Sequence, residues 1–73
     1  MVLNFEYDKN GELKIFVDDE GSKLLINYFN NLITKKDTHY HLLSSSWGGY
    51  ELTEEIFDEN SELINQVRIQ RIE

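Results

Sequence analysis

Apolar and polar residues alternate in two segments near the start of the chain. Three apolar residues stand at every second position in each segment: Leu3, Phe5 and Tyr7 in the first, then Leu13, Ile15 and Val17 in the second. This period of two is typical of half-buried strands. The Asn-Gly pair between the segments suits a tight turn, because glycine adopts a positive φ without strain. The sequence therefore predicts an antiparallel hairpin formed by residues 2–8 and 12–18.

The next segment changes to a helical period. Asp18, Asp19 and Glu20 offer capping oxygens and a negative first turn, which the helix dipole favours. A stripe of apolar residues then repeats every three or four positions: Leu24, Leu25, Tyr28, Phe29, Leu32 and Ile33. Such a stripe marks the buried side of an amphipathic helix. We predict a helix over roughly residues 20–35, with Lys35 and Lys36 in its last turn.

Two further strands are predicted after the helix, over residues 38–44 and 63–72. Tyr40 and Leu42 lie on one face of the first strand, and Val67 and Ile69 alternate with polar residues in the second. The order is β-β-α-β-β, and a chain of 73 residues has room for a single domain, residues 1–73. The simplest architecture is an α+β fold, in which one helix packs on one face of a four-stranded antiparallel sheet.

The second face of this sheet is mixed in character. It would carry Asn4, Glu6, Lys14, Phe16, His39, His41, Arg68 and Gln70. Three arrangements stay open at this stage: the segment 45–62 covers the face, a partner binds it, or a homodimer buries it. A homodimer could also form by pairing of an exposed edge strand with its copy.

The charge balance bears on the class of partner. Fourteen acidic residues oppose seven basic ones, so the formal net charge is −7. Nucleic-acid binding and binding to an anionic membrane surface are disfavoured, because both use a basic surface. A basic protein partner would be attracted, although negative charge also serves solubility alone. No basic and apolar leader is found at the N-terminus and no apolar run could span a bilayer, so we expect a cytoplasmic protein.

Residue types that carry chemistry are sparse. The chain has no cysteine, and it lacks a nucleophile elbow around its serines and a phosphate-binding glycine loop. His39 and His41 have workable metal-ligand spacing, but zinc needs a third or fourth ligand. We interpret both histidines as polar residues of an open sheet face, although a small metal-binding protein is kept as a third hypothesis. No enzyme activity, cofactor or metal is predicted.

The segment 45–62 is longer than a passive connection in so small a domain, which favours a function or some structure of its own. A short helical turn is possible over residues 53–57. The segment holds acids and no base: Glu51, Glu54, Glu55, Asp58, Glu59 and Glu62. Trp47, followed by Gly48 and Gly49, covers the core, is presented to a partner, or does both in part, since tryptophan is seldom fully buried and is enriched at interface hot spots.

The motif His39-Tyr40-His41-Leu42, followed after a short serine-rich spacer by Trp47-Gly48-Gly49-Tyr50-Glu51-Leu52, resembles the hallmark of the immunity protein 32 family. The resemblance covers roughly residues 12–72. It implies a bacterial protein encoded beside a secreted polymorphic toxin, often a nuclease, which protects the producing cell by binding that toxin.

Charge and resemblance together predict a small acidic protein that neutralises a basic toxin domain by stoichiometric binding. The predicted partner-binding residues are Trp47, Gly48, Gly49, Glu51, Glu54 and Glu55. Trp47 would be the apolar anchor, and the glutamates would pair with lysines or arginines of the toxin. The alternative is a self-associating structural or regulatory module.

Overall fold

Five strands and one α-helix form the described part of the chain, residues 1–72 of a computed structural model. In chain order they are β1 (Leu3–Tyr7), β2 (Leu13–Val17), α1 (Asp19–Ile33), β3 (His39–Leu43), a 3-10 turn (Ser45–Trp47), β4 (Glu62–Leu63) and β5 (Gln66–Gln70). The α+β class and the single helix agree with the sequence prediction.

The predicted hairpin is confirmed. β1 and β2 pair antiparallel, with Leu3 opposite Val17 and Tyr7 opposite Leu13. The turn is held by Asp8, whose carboxylate accepts from the backbone N–H groups of Asn10 and Glu12 at 2.9 and 3.1 Å. Gly11 has a φ of 84°, the left-handed conformation that makes glycine the suitable residue at this position.

The predicted helix is also confirmed, and its ends show why it starts and stops where it does. Asp18 caps the N-terminus by accepting from Gly21 N–H at 2.8 Å, and this hydrogen bond lowers the pKa of Asp18 below its usual value. At the other end Lys35 turns left-handed with a φ of 63°. Lys35 and Lys36 donate their N–H groups back to Leu32 and Asn31, an arrangement that terminates helices. The prediction that these lysines lie in the last turn was wrong, since both follow the helix.

The single four-stranded sheet is not confirmed, because the strand predicted over residues 63–72 is interrupted. β4 pairs with β1 in a three-stranded sheet of order β2-β1-β4, whereas β5 pairs with β3 in a separate two-stranded sheet. The chain changes partners at Ile64 and Asn65. Ile64 N–H still donates to Phe5 at 2.9 Å, but the backbone and side-chain oxygens of Asn65 accept from Ser44 at 3.0 and 2.7 Å.

The hydrophobic core lies between the sheets and the helix. Leu3, Phe5, Leu42 and Leu52 form its buried centre. The helix contributes Leu24, Leu25 and Tyr28 around it, and Leu32 is buried as well. Tyr28 also stacks on Tyr40 of β3 with ring centroids 3.9 Å apart, which fixes one side of the helix over β3.

One half of the second sheet face is covered by the chain itself. Asn4 and Glu6 point to this face from β1, and both are fully buried. The Asn4 amide donates to the carbonyls of Thr53 and Glu55 at 3.1 and 2.7 Å. The Glu6 carboxylate accepts from the backbone N–H groups of Phe57 and Asp58 at 2.8 and 3.1 Å. We call residues 53–58 the covering segment. It is not helical, so the helical turn considered for residues 53–57 is absent.

Side-chain contacts extend this cover onto β2. Phe57 stacks on Phe16 with ring centroids 5.4 Å apart. Lys14 forms an ion pair with Asp58, and its ammonium also lies 3.4 Å from Asp8. The predicted residues of this face that lie in the separate β3–β5 sheet, His39, His41, Arg68 and Gln70, are exposed. Of the three arrangements left open by the sequence, coverage by the segment 45–62 therefore holds for the β1–β2 half.

We expect Glu6→Gln to lower the free energy of unfolding by roughly 2–3 kcal/mol, because an amide nitrogen would face a backbone N–H in place of a charged acceptor. Urea denaturation measures the loss. Hydrogen exchange should locate it at the amides of Phe57 and Asp58.

Glu59→Gln is the matched control. The Glu59 carboxylate forms no hydrogen bond or ion pair with the described residues, so its replacement should leave the urea midpoint nearly unchanged. Equal stability of the two variants would show that Glu6 does not hold the covering segment.

Candidate functional site

Trp47 stands at the end of the 3-10 turn and is presented to solvent. Its N–H donates to the Ser44 carbonyl at 3.0 Å, and Gly48 N–H donates to the Ser45 carbonyl at 3.1 Å. Gly48 then turns left-handed with a φ of 88°. The indole is 53% exposed and does not belong to the core, so the interpretation of Trp47 as a core cover is not supported.

Glycine is favoured at positions 48 and 49 for two different physical reasons. A Cβ on Gly48 would meet nothing within 4 Å, and only the positive φ favours glycine there. A Cβ on Gly49 would lie 2.4 Å from Leu43 Cβ and 2.5 Å from the Leu43 carbonyl oxygen. Gly49 thus lets the turn pack directly on the end of β3. Both glycines shape the turn that holds Trp47.

Two of the predicted glutamates are used inside the loop. Glu51 accepts from the backbone N–H groups of Leu43 and Tyr50 at 3.1 and 3.3 Å. Glu54 accepts from the hydroxyl of Ser45 at 2.6 Å, and from the hydroxyl and N–H of Ser46. These hydrogen bonds, the one from Ser45 first, lower the pKa of Glu54.

Glu54 also connects the covering segment to the 3-10 turn that ends at Trp47. Its bonds to Ser45 and Ser46 bring the start of the covering segment against the turn that ends in Trp47. Tyr50 is 80% exposed beyond that turn, and Glu55 is exposed beside Glu54. We call these four residues, Trp47, Tyr50, Glu54 and Glu55, the aromatic–acidic surface.

The acidic residues between positions 45 and 62 differ in whether their carboxylates form an ion pair, a hydrogen bond or neither. Asp58 pairs with Lys14, and the hydrogen bond from that ammonium lowers the pKa of Asp58. Glu62 accepts from the Tyr7 hydroxyl. The carboxylates of Glu55 and Glu59 form no hydrogen bond or ion pair with the described residues and are free to meet an external cation.

The structure thus brings all six predicted residues into one loop but gives them different roles. Trp47 and Glu55 are outward-facing, whereas Gly48, Gly49, Glu51 and Glu54 build and hold the turn. The sequence analysis missed Tyr50 as an exposed aromatic residue, and it missed Asn4 and Glu6 as the anchors of the covering segment. Their signal was available: two polar side chains alternate with buried apolar ones in the central strand.

The remaining candidate chemistry is not assembled into a site. Within residues 1–72, no group of three or more His, Cys, Asp or Glu side chains is placed to hold a metal ion. His41 lies 3.3 Å from Gln66 Oε1, and His39 lies 3.2 Å from the Thr38 hydroxyl. A shallow cleft of about 340 Å3 lies at the hairpin end, and none of the aromatic–acidic surface lines it.

No helix in the described part of the chain has the length and apolar character needed to cross a membrane. Comparison of the chain with protein-family models, curated proteins and solved structures found no match. Membership of the immunity protein 32 family therefore stays a prediction, and the function proposed below is argued from the geometry of the loop.

Gly49→Ala should lower the free energy of unfolding by about 3 kcal/mol, the upper part of the usual range for overpacking, because the backbone of Leu43 cannot move aside as a flexible side chain would. Gly48→Ala is the control. It should cost only about 1–2 kcal/mol, the penalty for a Cβ in the left-handed conformation. Urea denaturation of both variants tests the difference, and similar losses would contradict the close packing of Gly49 on β3.

The double variant Ser45→Ala with Ser46→Ala should raise the pKa of Glu54 toward its ordinary value of 4.5. Carboxyl carbon chemical shifts measured against pH report this change. The folded-state pKa of Glu54 is lowered, so its ionised form stabilises the native protein above the unfolded pKa. That contribution is lost as the pH falls through the folded pKa. The double variant should show less of this acid-dependent loss. Ser22→Ala, on the helix, should leave the titration of Glu54 as it is.

Proposed function

We propose that this chain is an immunity protein that neutralises a cognate basic toxin domain in the cytoplasm of the producing cell by binding it, without chemistry of its own. The observation that carries the proposal is the aromatic–acidic surface: a half-exposed tryptophan held on a fixed turn beside carboxylates. The resemblance of residues 39–52 to the family hallmark and the net charge of −7 support the same function.

The anchor is preorganised. The turn is closed by backbone hydrogen bonds from Trp47 and Gly48, and Glu54 and Gly49 tie it to the covering segment and to β3. Little conformational freedom is then lost when the indole enters a partner, so more of its burial contributes to affinity. Aromatic anchors of this kind supply a large share of binding energy in protein interfaces.

The electrostatics favour a cationic partner. Among the carboxylates of the segment, Glu55 is free, and Glu54 is bonded only to neutral groups and keeps its charge. Lys14, which contacts the covering segment, is already paired with Asp58. A toxin whose active site holds phosphates with lysines and arginines would meet a field of complementary sign. Such complementarity raises association rates, and it does so most at low salt.

In this proposal Glu51 and Glu54 act mainly by holding the loop. Replacing them would mix loss of binding with loss of loop structure. The residues that test binding are therefore Trp47 and Glu55, whose side chains form no hydrogen bond, ion pair or ring contact with the described residues.

The test uses the toxin domain encoded beside this chain's gene, produced as a catalytically inactive variant. We expect a one-to-one complex that weakens as salt is raised. Trp47→Ala should raise its Kd by about 30-fold, equivalent to roughly 2 kcal/mol. Glu55→Lys should slow association about 3- to 10-fold at low salt and flatten its salt dependence. Surface plasmon resonance at several salt concentrations measures both effects.

Asp19→Lys is the matched control for Glu55→Lys. It makes the same change in net charge, from −7 to −5, at an exposed acid of the helix N-terminus away from the loop. A local contact predicts that Glu55→Lys slows association more than Asp19→Lys. The absence of a complex with the neighbouring toxin, or a complex indifferent to Trp47→Ala and Glu55→Lys, would overturn the proposal.

A further inference from the structure

β2 leaves one of its edges without a partner strand. Asp8 N–H donates to the Glu12 carbonyl at 3.1 Å, and Asp18 N–H donates to the Val2 carbonyl at 3.2 Å. Hydrogen-bonded pairs alternate along an antiparallel ladder, so the backbone groups of Lys14 and Phe16 are the ones directed at β1. The N–H and C=O groups of Leu13, Ile15 and Val17 therefore point outward from the free edge.

The same three residues carry exposed apolar side chains. Val17 is 42% exposed, Ile15 47% and Leu13 55%, even though they share the sheet face that bears the helix. Tyr7, opposite Leu13 on β1, is 44% exposed. The helix thus covers this end of the sheet incompletely, and the cover becomes thinner from Val17 toward Leu13.

One side of the helix is exposed above this strand. Tyr28 and Asn31 contact Tyr40, so that side of the helix lies over β3. Phe29 lies on the other side of the helix from Tyr28, beyond the half-buried Leu25 and the buried Leu32, and it is 48% exposed. β2 is the outer strand of its sheet and lies away from β3. We therefore expect Phe29 and the β2 side chains to border one apolar surface, which we call the β2 groove.

We propose that a second copy of this chain occupies the β2 groove, joining the two sheets by antiparallel β2–β2 pairing about a two-fold axis at Ile15. This register sets Ile15 opposite Ile15 and Leu13 opposite Val17, so all outward backbone groups meet partners. On the other face it sets Lys14 opposite Phe16, an ammonium near an aromatic ring.

Neighbouring registers fit less well. A two-fold axis at Lys14 would set two lysines directly opposite each other, which is destabilising. An axis at Phe16 would set Leu13 opposite Asp19, which already belongs to the helix. The axis at Ile15 alone pairs all five residues of β2 with their five counterparts.

The charges at the ends of this register modulate the association. Glu12 would lie opposite Asp18 at both ends of the paired strands. The two chains, each with a formal net charge of −7, would also repel each other. Each of these acids lies near a cation that it shares with other acids. Glu12 is 3.7 Å from the Lys14 ammonium, which also pairs with Asp58, and Asp18 is 3.9 Å from the N-terminal ammonium, which is equally close to Glu20. The residual repulsion is screened by salt. Dimerisation should therefore strengthen as salt is raised, opposite to the toxin complex.

The area is sufficient for a weak, specific dimer. The groove side chains of both copies, Tyr7, Leu13, Ile15, Val17 and Phe29, are each about half exposed. Burying them together with the strand edges would remove roughly 1,000 Å2 from water, near the lower limit for specific interfaces. Self-pairing also protects an edge that would otherwise invite aggregation.

Sedimentation velocity over a concentration series tests the proposal on the full chain. We expect a monomer–dimer equilibrium in the micromolar range at 0.5 M NaCl that shifts toward monomer at 0.05 M. Ile15→Arg should abolish the dimer, whereas Ile72→Arg is the control. Ile72 is an exposed isoleucine that follows β5, a strand of the other sheet, and the proposed pairing does not use it.

Single cysteines test the register. Because the chain has no cysteine of its own, any disulfide that forms must join the introduced residues. Ile15→Cys should form a disulfide-linked dimer under mild oxidation, since directly opposite residues in a hydrogen-bonded pair have Cα atoms about 5.5 Å apart. Leu13→Cys is more exposed but should not cross-link to itself, because its counterpart lies opposite Val17. A mixture of Leu13→Cys and Val17→Cys chains should cross-link.

A dimer that needs Ile15, grows with salt and cross-links in this pattern supports the proposal. A chain that stays monomeric at high salt overturns it, as does a dimer that survives in Ile15→Arg or cross-links equally through Leu13→Cys. Protection of the β2 amides by the toxin domain alone would assign the groove to that partner instead. The sedimentation and cross-linking outcomes do not depend on whether Trp47 binds a toxin.

Discussion

The central strand β1 is the element on which the rest of the structure depends, because it is buried on both faces. Leu3 and Phe5 point into the hydrophobic core, whereas Asn4 and Glu6 point to the other face and bind backbone groups of the covering segment. A carboxylate in such a place would be strongly unfavourable without partners, but two backbone N–H groups supply them. The chain thereby holds a long acidic segment against itself by backbone hydrogen bonds as well as by the stacking of Phe57 on Phe16.

The acidic composition has two different physical uses. Some carboxylates accept hydrogen bonds from backbone N–H groups in place of a carbonyl oxygen. Asp8 closes the hairpin turn in this way, Asp18 caps the helix, and Glu51 and Glu54 hold the loop around the 3-10 turn that ends at Trp47. Charged acceptors make stronger hydrogen bonds than neutral ones, so they suit a small domain with a thin core. The Glu55 carboxylate accepts no such hydrogen bond, and its charge contributes to the negative electrostatic potential at the protein surface. Net charge alone does not distinguish these uses, since both give the same composition.

Local patterns were sufficient to predict the hairpin, the helix and β3, because alternation and helical period act within a few residues. The division of the last strand was not predictable from its own residues. It arises where Asn65 meets Ser44, a contact between positions 21 residues apart. The same holds for the site: Trp47 and its glycines are visible in the sequence, but the inward use of Glu54 depends on the serines that face it. Polar residues in β1 were noted as belonging to a mixed face, and only the tertiary fold shows what covers them.

The anchoring of the loop through β1 also determines when the loop can form. Asn4 contacts Glu55 across 51 residues, and Leu3 contacts Thr53 across 50. Contacts so distant along the chain have a large closure entropy and raise the contact order, so they are made late in folding. During synthesis, the first strand would have to wait until residues 53–58 emerge before it could bind them. The hydrogen bonds that close the turn at Trp47 all lie within residues 44–54, so that turn can form before the segment behind it docks on β1.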